Sequence, residues 1–96
     1  MSPKDEILLK LRNVKSQLAE KYPIAEMALF GSFSRGDQVD NSDIDILVEL
    51  NGKIGSGFID LAEELESTLG RKVDLISKNG IKPMYFNSIE KDLIYV

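Results

Sequence analysis

The period of the apolar positions changes along the chain, and each change marks an element. Ile7, Leu8, Leu11, Val14, Leu18 and Ala19 recur at helical spacing, with Lys4, Lys10, Lys15 and Glu20 on the other face. Ser2 is placed to cap this helix, Pro3 suits its first position, and Asp5 stands three residues after the cap. Pro23 ends the helix at about Lys21 or Tyr22. Ile24 to Phe30 is an apolar run broken only by Glu26, and it predicts a buried strand that stops at Gly31-Ser32. Ser34 to Ser42 is polar, with Gly36, Asp37, Asp40 and Asn41, and reads as a loop with a helical turn at its start. From Ile44 to Leu50 the alternation is strict. Ile44, Ile46, Val48 and Leu50 face one way, and Asp43, Asp45, Leu47 and Glu49 the other, which predicts a second strand.

Asn51-Gly52-Lys53 is a turn signal, and Gly55-Ser56-Gly57 extends the connection. Phe58, Ile59, Leu61, Ala62, Leu65 and Leu69 then form a second amphipathic helix, with Gly70 as its C-cap. Lys72 to Ser77 predicts a third strand, with Val73 and Leu75 on one face and Asp74 and Ile76 on the other. After a break at Asn79-Gly80, Pro83 opens a short helix expected to turn Tyr85, Phe86, Ile89 and Leu93 inward, and Ile94-Tyr95-Val96 finishes as an edge strand. The order is that of an α/β (α+β) protein, a small mixed sheet flanked by helices. The 96 residues are expected to form one domain, 1-96, without repeat or linker.

Composition narrows the chemistry. There is no Cys and no His, which removes thiolate and imidazole nucleophiles, bases and metal ligands. Proton transfer falls to carboxylates, Lys, Tyr or water, and a metal site would be built from oxygen, which suits Mg²⁺ or Mn²⁺. Sixteen acidic residues against twelve basic ones give a net charge of −4, with no basic stripe, so a nucleic-acid partner is not expected. No apolar run approaches the roughly 20 residues of a membrane span, and Met1-Ser2-Pro3-Lys4-Asp5 has no signal-peptide character. The expectation is a cytoplasmic protein without membrane contact.

The candidate chemistry lies in Gly31-Ser32-Phe33-Ser34-Arg35-Gly36, followed by Ser42-Asp43-Ile44-Asp45. Asp43 and Asp45 are two apart on a predicted strand, so their side chains share a face, with Cα atoms roughly 6.5–7 Å apart. The pair can share one divalent ion or bracket two; it can also be the solvated face of an ordinary strand. Asp is a poor strand former, and Asp74 is another, inside the apolar segment Val73–Ile76. If those two strands are neighbours, three carboxylates converge; otherwise Asp74 is an exposed strand end. Gly31 permits close approach of a ligand to the backbone, and Ser32 adds a hydroxyl, although Gly-Ser is also a simple strand-ending turn. Arg35 can reach a phosphate oxygen or pair with Asp37.

Together, Gly31-Ser32, ten intervening residues and Asp43-Ile44-Asp45 resemble the signature of the polymerase-beta-like nucleotidyltransferase superfamily. The local form, Gly-Ser-x-x-Arg-Gly and then Ser-Asp-x-Asp, is similar to that of the minimal nucleotidyltransferases of bacteria and archaea. Ser34 stands where that family more often has Ala. The resemblance implies a polymerase-beta-like nucleotidyltransferase core, with Asp43, Asp45 and Asp74 as metal ligands for two Mg²⁺ ions, or Mn²⁺. It makes Asp74 the general base as well. Gly31, Ser32, Arg35 and Ser42 would border the nucleotide, ATP. The larger members carry an acceptor-binding domain for which 96 residues leave no room, so a partner or a second copy would complete the acceptor site. Small proteins of this kind resemble the antitoxin of a toxin–antitoxin pair. The implied reaction is transfer of AMP from ATP to a tyrosine of a helical HEPN-type toxin. Two other readings stand beside it: a binding module that silences a helical partner by contact, with Tyr85, Phe86, Ile89 and Tyr95 as interface, and a nucleotidyltransferase acting on a small molecule or an RNA end.

Overall fold

The computed structural model describes residues 1–96. Four helices and four strands alternate as α1 (Pro3–Lys21), β1 (Ile24–Phe30), α2 (Ser32–Arg35), β2 (Ile44–Leu50), α3 (Gly57–Leu69), β3 (Val73–Ser77), α4 (Pro83–Ile89) and β4 (Ile94–Tyr95). Local chemistry sets the boundaries. The Ser2 hydroxyl accepts from the Asp5 N–H at 3.1 Å and caps α1, with Pro3 at its first position. Gly70 ends α3 in the left-handed conformation. No helix is long and apolar enough to cross a membrane.

The sheet is mixed, in the order β3-β2-β1-β4. β1 runs antiparallel to β2 and β4, whereas β2 and β3 are parallel, joined by the α3 crossover. Alternation along each strand then sorts the side chains. Met27 and Leu29 of β1, Ile44, Ile46 and Val48 of β2, and Val73 of β3 meet Ile7, Leu8, Leu11 and Leu18 of α1 and Leu61, Leu65 and Leu69 of α3 in one buried cluster. On the opposite face Phe30 and Leu47 pack with Ile89 of α4, supported by Ile76, Ile81, Phe86 and Leu93.

Three expectations about side-chain placement need correction. Tyr85 is not inward but 45% exposed, because the seven-residue α4 presents only the narrow stripe of Phe86 and Ile89 to the sheet. Ile59 is 63% exposed, because α3 packs along Leu61, Leu65 and Leu69. Ala19 is likewise exposed, one position beyond the Leu11–Leu18 stripe of α1.

Candidate active site

β1, β2 and β3 bring the candidate residues to one end of the sheet. Asp45 is registered opposite Phe30 of β1 and opposite Asp74 of β3. Asp45 and Asp74 therefore project from the face that also carries Phe30, Leu47 and Ile76, away from the α1/α3 core. Asp43 lies just before β2 and is exposed, as is Asp74, while Asp45 is half-buried.

Gly31 joins β1 to α2 with φ +77°, a conformation that side-chain-bearing residues rarely adopt. A Cβ at this position would stand 2.0 Å from Asp45 Oδ2 and 2.8 Å from its Cγ. The Asp45 carboxylate thus lies directly against the Gly31 backbone. The expected neighbour of this backbone was a ligand; the neighbour found is the chain's own Asp45 side chain. Ser32 follows as the first residue of α2, half-buried beside it.

Electrostatics follow from this crowding. Asp45 is pushed up to about 6, first by partial burial, then by the charges of Asp74 and Asp43 and by a hydrogen bond shared with Asp74. Arg35 acts in the opposite direction. The donor set is all oxygen, so it fits a hard divalent ion and no softer one. The three carboxylates do not close round a single point as a finished cage.

The supports of the site were not legible locally. Arg35 Nε donates to Asp37 Oδ2 at 3.0 Å, as one of its two readings held, but its Nη1 also donates to Asp92 Oδ2 at 2.8 Å. Nη2 has no protein partner. The Ser34 hydroxyl, buried, donates to the Asp92 carbonyl. Ser42 accepts the Val39 N–H at 2.9 Å and so closes the turn ahead of Asp43. Arg71, from the α3–β3 connection, donates to the carbonyls of Asp40 and Ser42 at 2.8 and 3.2 Å and lies over the Phe33 ring, 5.2 Å from its centroid. Arg71 and Asp92 thus hold the loop and helix that carry the motif. Neither has a sequence signal, since each acts across 29 or more residues.

The acidic end of the sheet is an open ledge. The largest cavity, about 460 Å³, lies instead between α1 and α3, lined by Val14, Leu18, Lys21 and Glu64 among others. Its lining belongs to α1 and α3, and none of the three motif carboxylates borders it.

Residues 11–96 match the nucleotidyltransferase domain family. A Methanocaldococcus jannaschii protein provisionally described as a protein adenylyltransferase is 48% identical over 100 residues, covering all of both chains. The protein adenylyltransferase MntA of Thermococcus cleftensis is 37% identical, over 96% of this chain and 94% of its own. Among solved structures, a toxin–antitoxin crystal structure with AMP-PNP superposes with a TM-score of 0.62 at 30% identity, over 85% of this chain and 62% of that one.

Proposed function

The chain belongs to the nucleotidyltransferase domain family, and from that premise we propose that it transfers AMP from ATP to a hydroxyl group of a partner protein. The observation that carries this reading is the register of Asp45 with Asp74 beside the Gly31 backbone. Gly31 and Ser32 receive the triphosphate, the glycine by admitting phosphate oxygens to the backbone and the serine through its hydroxyl. Arg35 offers its unpaired Nη2 to a phosphate oxygen, and Ser42 borders the nucleotide at the turn its hydroxyl closes. Asp43, Asp45 and Asp74 would hold two Mg²⁺ ions, or Mn²⁺, which would supply neutralisation of the triphosphate charge and Lewis-acid activation of the transfer.

The remaining chemistry belongs to the chain. Asp74, exposed at the start of β3, takes the acceptor proton as the acceptor oxygen attacks the α-phosphorus. The bond from that phosphorus to its bridging oxygen breaks, pyrophosphate leaves with the electron pair, and AMP stays on the acceptor. Positioning and electrostatics suffice for this kind of transfer, without a covalent enzyme intermediate.

The acceptor we propose is a tyrosine of a helical HEPN-type toxin, with this chain as the antitoxin. The similarity to MntA and to the toxin–antitoxin structure supports the antitoxin role. The test is incubation of the chain and its partner with Mg²⁺ and ATP labelled at the α-phosphate, with the modified residue located by mass spectrometry. AMP on a partner tyrosine is expected from the wild type and none from Asp43→Asn/Asp45→Asn. Undiminished transfer by the double variant would sink the metal-ligand assignment. Full silencing of the partner by that variant without transfer would favour inhibition by contact.

A further inference from the structure

We propose that Asp92 is a positioning residue for the nucleotide-binding turn, acting through Ser34 and Arg35; the inference rests on the nucleotidyltransferase reading above. α2 is one turn of four residues, too short to hold itself in water. Something outside it must fix it, and two contacts do. Phe33 is buried in the main core and anchors one side. Asp92 anchors the other: Ser34 donates to its carbonyl, and Arg35 donates to its carboxylate. Two consecutive residues of the motif thus grip one residue that lies 57 and 58 positions further along the chain.

The environment makes this more than a surface ion pair. The Asp92 side chain is 9% exposed, whereas Arg35 is 45% exposed. The nearly dry carboxylate needs a donor, and the guanidinium supplies it. Asp37 holds Nε at 3.0 Å on the other side. With Nε and Nη1 both engaged, the planar guanidinium is fixed in orientation, and Nη2 is left to address an anion. A guanidinium released from Asp92 would lose its fixed direction. The brace comes from the turn Glu90–Asp92, between α4 and the edge strand β4, and so ties the end of the chain to the motif near its beginning.

The experiment is a titration of the whole chain with ATP in Mg²⁺, on wild type, Asp92→Ala, Asp92→Asn, Arg35→Ala and Asp92→Ala/Arg35→Ala. Melting curves of each establish that it is folded. Asp92→Ala is expected to weaken MgATP binding about ten-fold, the loss of one charge-assisted hydrogen bond. Asp92→Asn keeps a neutral acceptor for Arg35, and both substitutions keep the main-chain carbonyl that Ser34 uses, so Asp92→Asn should weaken binding about three-fold. In the Arg35→Ala background Asp92→Ala should change little further, a coupling that loss of fold support alone would not produce. Wild-type affinity in folded Asp92→Ala overturns the inference, and so does an undiminished effect of Asp92→Ala without Arg35. If Asp92→Ala does not fold, wild-type affinity in Asp92→Asn overturns it instead. A wild-type chain that binds no MgATP overturns the nucleotidyltransferase reading itself, and this one with it.

Discussion

On one face of the sheet fifteen buried residues, drawn from α1, α2, α3 and three strands, close into a single cluster; on the other only three do, and carboxylates occupy much of what remains. The same strand serves both. β2 sends Ile44, Ile46 and Val48 into the large cluster and Asp45 and Leu47 to the opposite side. Because alternation gives each strand two independent faces, burial on one can hold the backbone while the other carries like charges that favour no contact among themselves. The α4 face is therefore a working surface laid on a scaffold that the α1/α3 face stabilises.

The largest test of that division is a pair of truncations. Leu11 is fully buried at the centre of the large cluster, and Ile89 is 8% exposed in the small one. Leu11→Ala should cost about 3–5 kcal/mol, and Ile89→Ala about 2 kcal/mol, because the thinner layer can relax into the space. Thermal or urea unfolding of the two variants would measure it. Equal losses would mean that α4 is as much part of the scaffold as α1.

A smaller effect of opposite sign is expected at Asp45. With its carboxyl raised from the usual carboxylate range to about 6, the folded state binds a proton more tightly than the unfolded state does. Without metal, ionised Asp45 therefore opposes folding above pH 6, and the penalty disappears as pH falls below about 4. Asp45→Asn should raise the stability of the metal-free protein at pH 8 by about 1–2 kcal/mol, discounted for its partial exposure, or several degrees in Tm. The gain should vanish near pH 4. A loss of stability at pH 8 would show that Asp45 is held by contacts the repulsion does not outweigh.

The two faces were also unequally legible in the sequence. The large cluster follows from helical and strand periodicity, which a linear pattern records directly, and Ser2, Pro3 and Gly70 mark the ends of its helices. The chemical motif was legible for the same reason: Gly31, Ser32, Asp43 and Asp45 lie within fifteen residues of one another. Asp74 needed the parallel pairing of β2 with β3, which the sequence allowed but did not impose. The grip of Asp92 on Ser34 and Arg35, and of Arg71 on the carbonyls before Asp43, appears only when the chain has folded back on itself. Periodicity also overreached at Tyr85 and Ile59, since a short or single-sided helix buries fewer rows than its composition offers.

The smallest effect sharpens the comparison at the rim of the scaffold. Tyr22, at the end of α1, donates its hydroxyl to Glu64 of α3 at 2.5 Å, and Lys21 Nζ donates to the other oxygen of the same carboxylate at 2.6 Å. The Tyr22 hydroxyl is pushed up to about 12, first by its hydrogen bond to Glu64, then by burial and the charges of Glu64, Asp60 and Glu63. A raised pKa on a group that is neutral when protonated means that the contact is fully present below pH 10, the ordinary tyrosine value, and is lost as pH rises through 12. Tyr22→Phe should lower Tm only slightly at pH 7, less than either truncation. Its difference from wild type should shrink between pH 10 and 12, and the variant should lack the tyrosinate absorbance that appears last in the wild-type titration. A deficit that persists unchanged above pH 12 would assign the contribution of Tyr22 to the packing of its ring against the α1/α3 core rather than to its bond with Glu64.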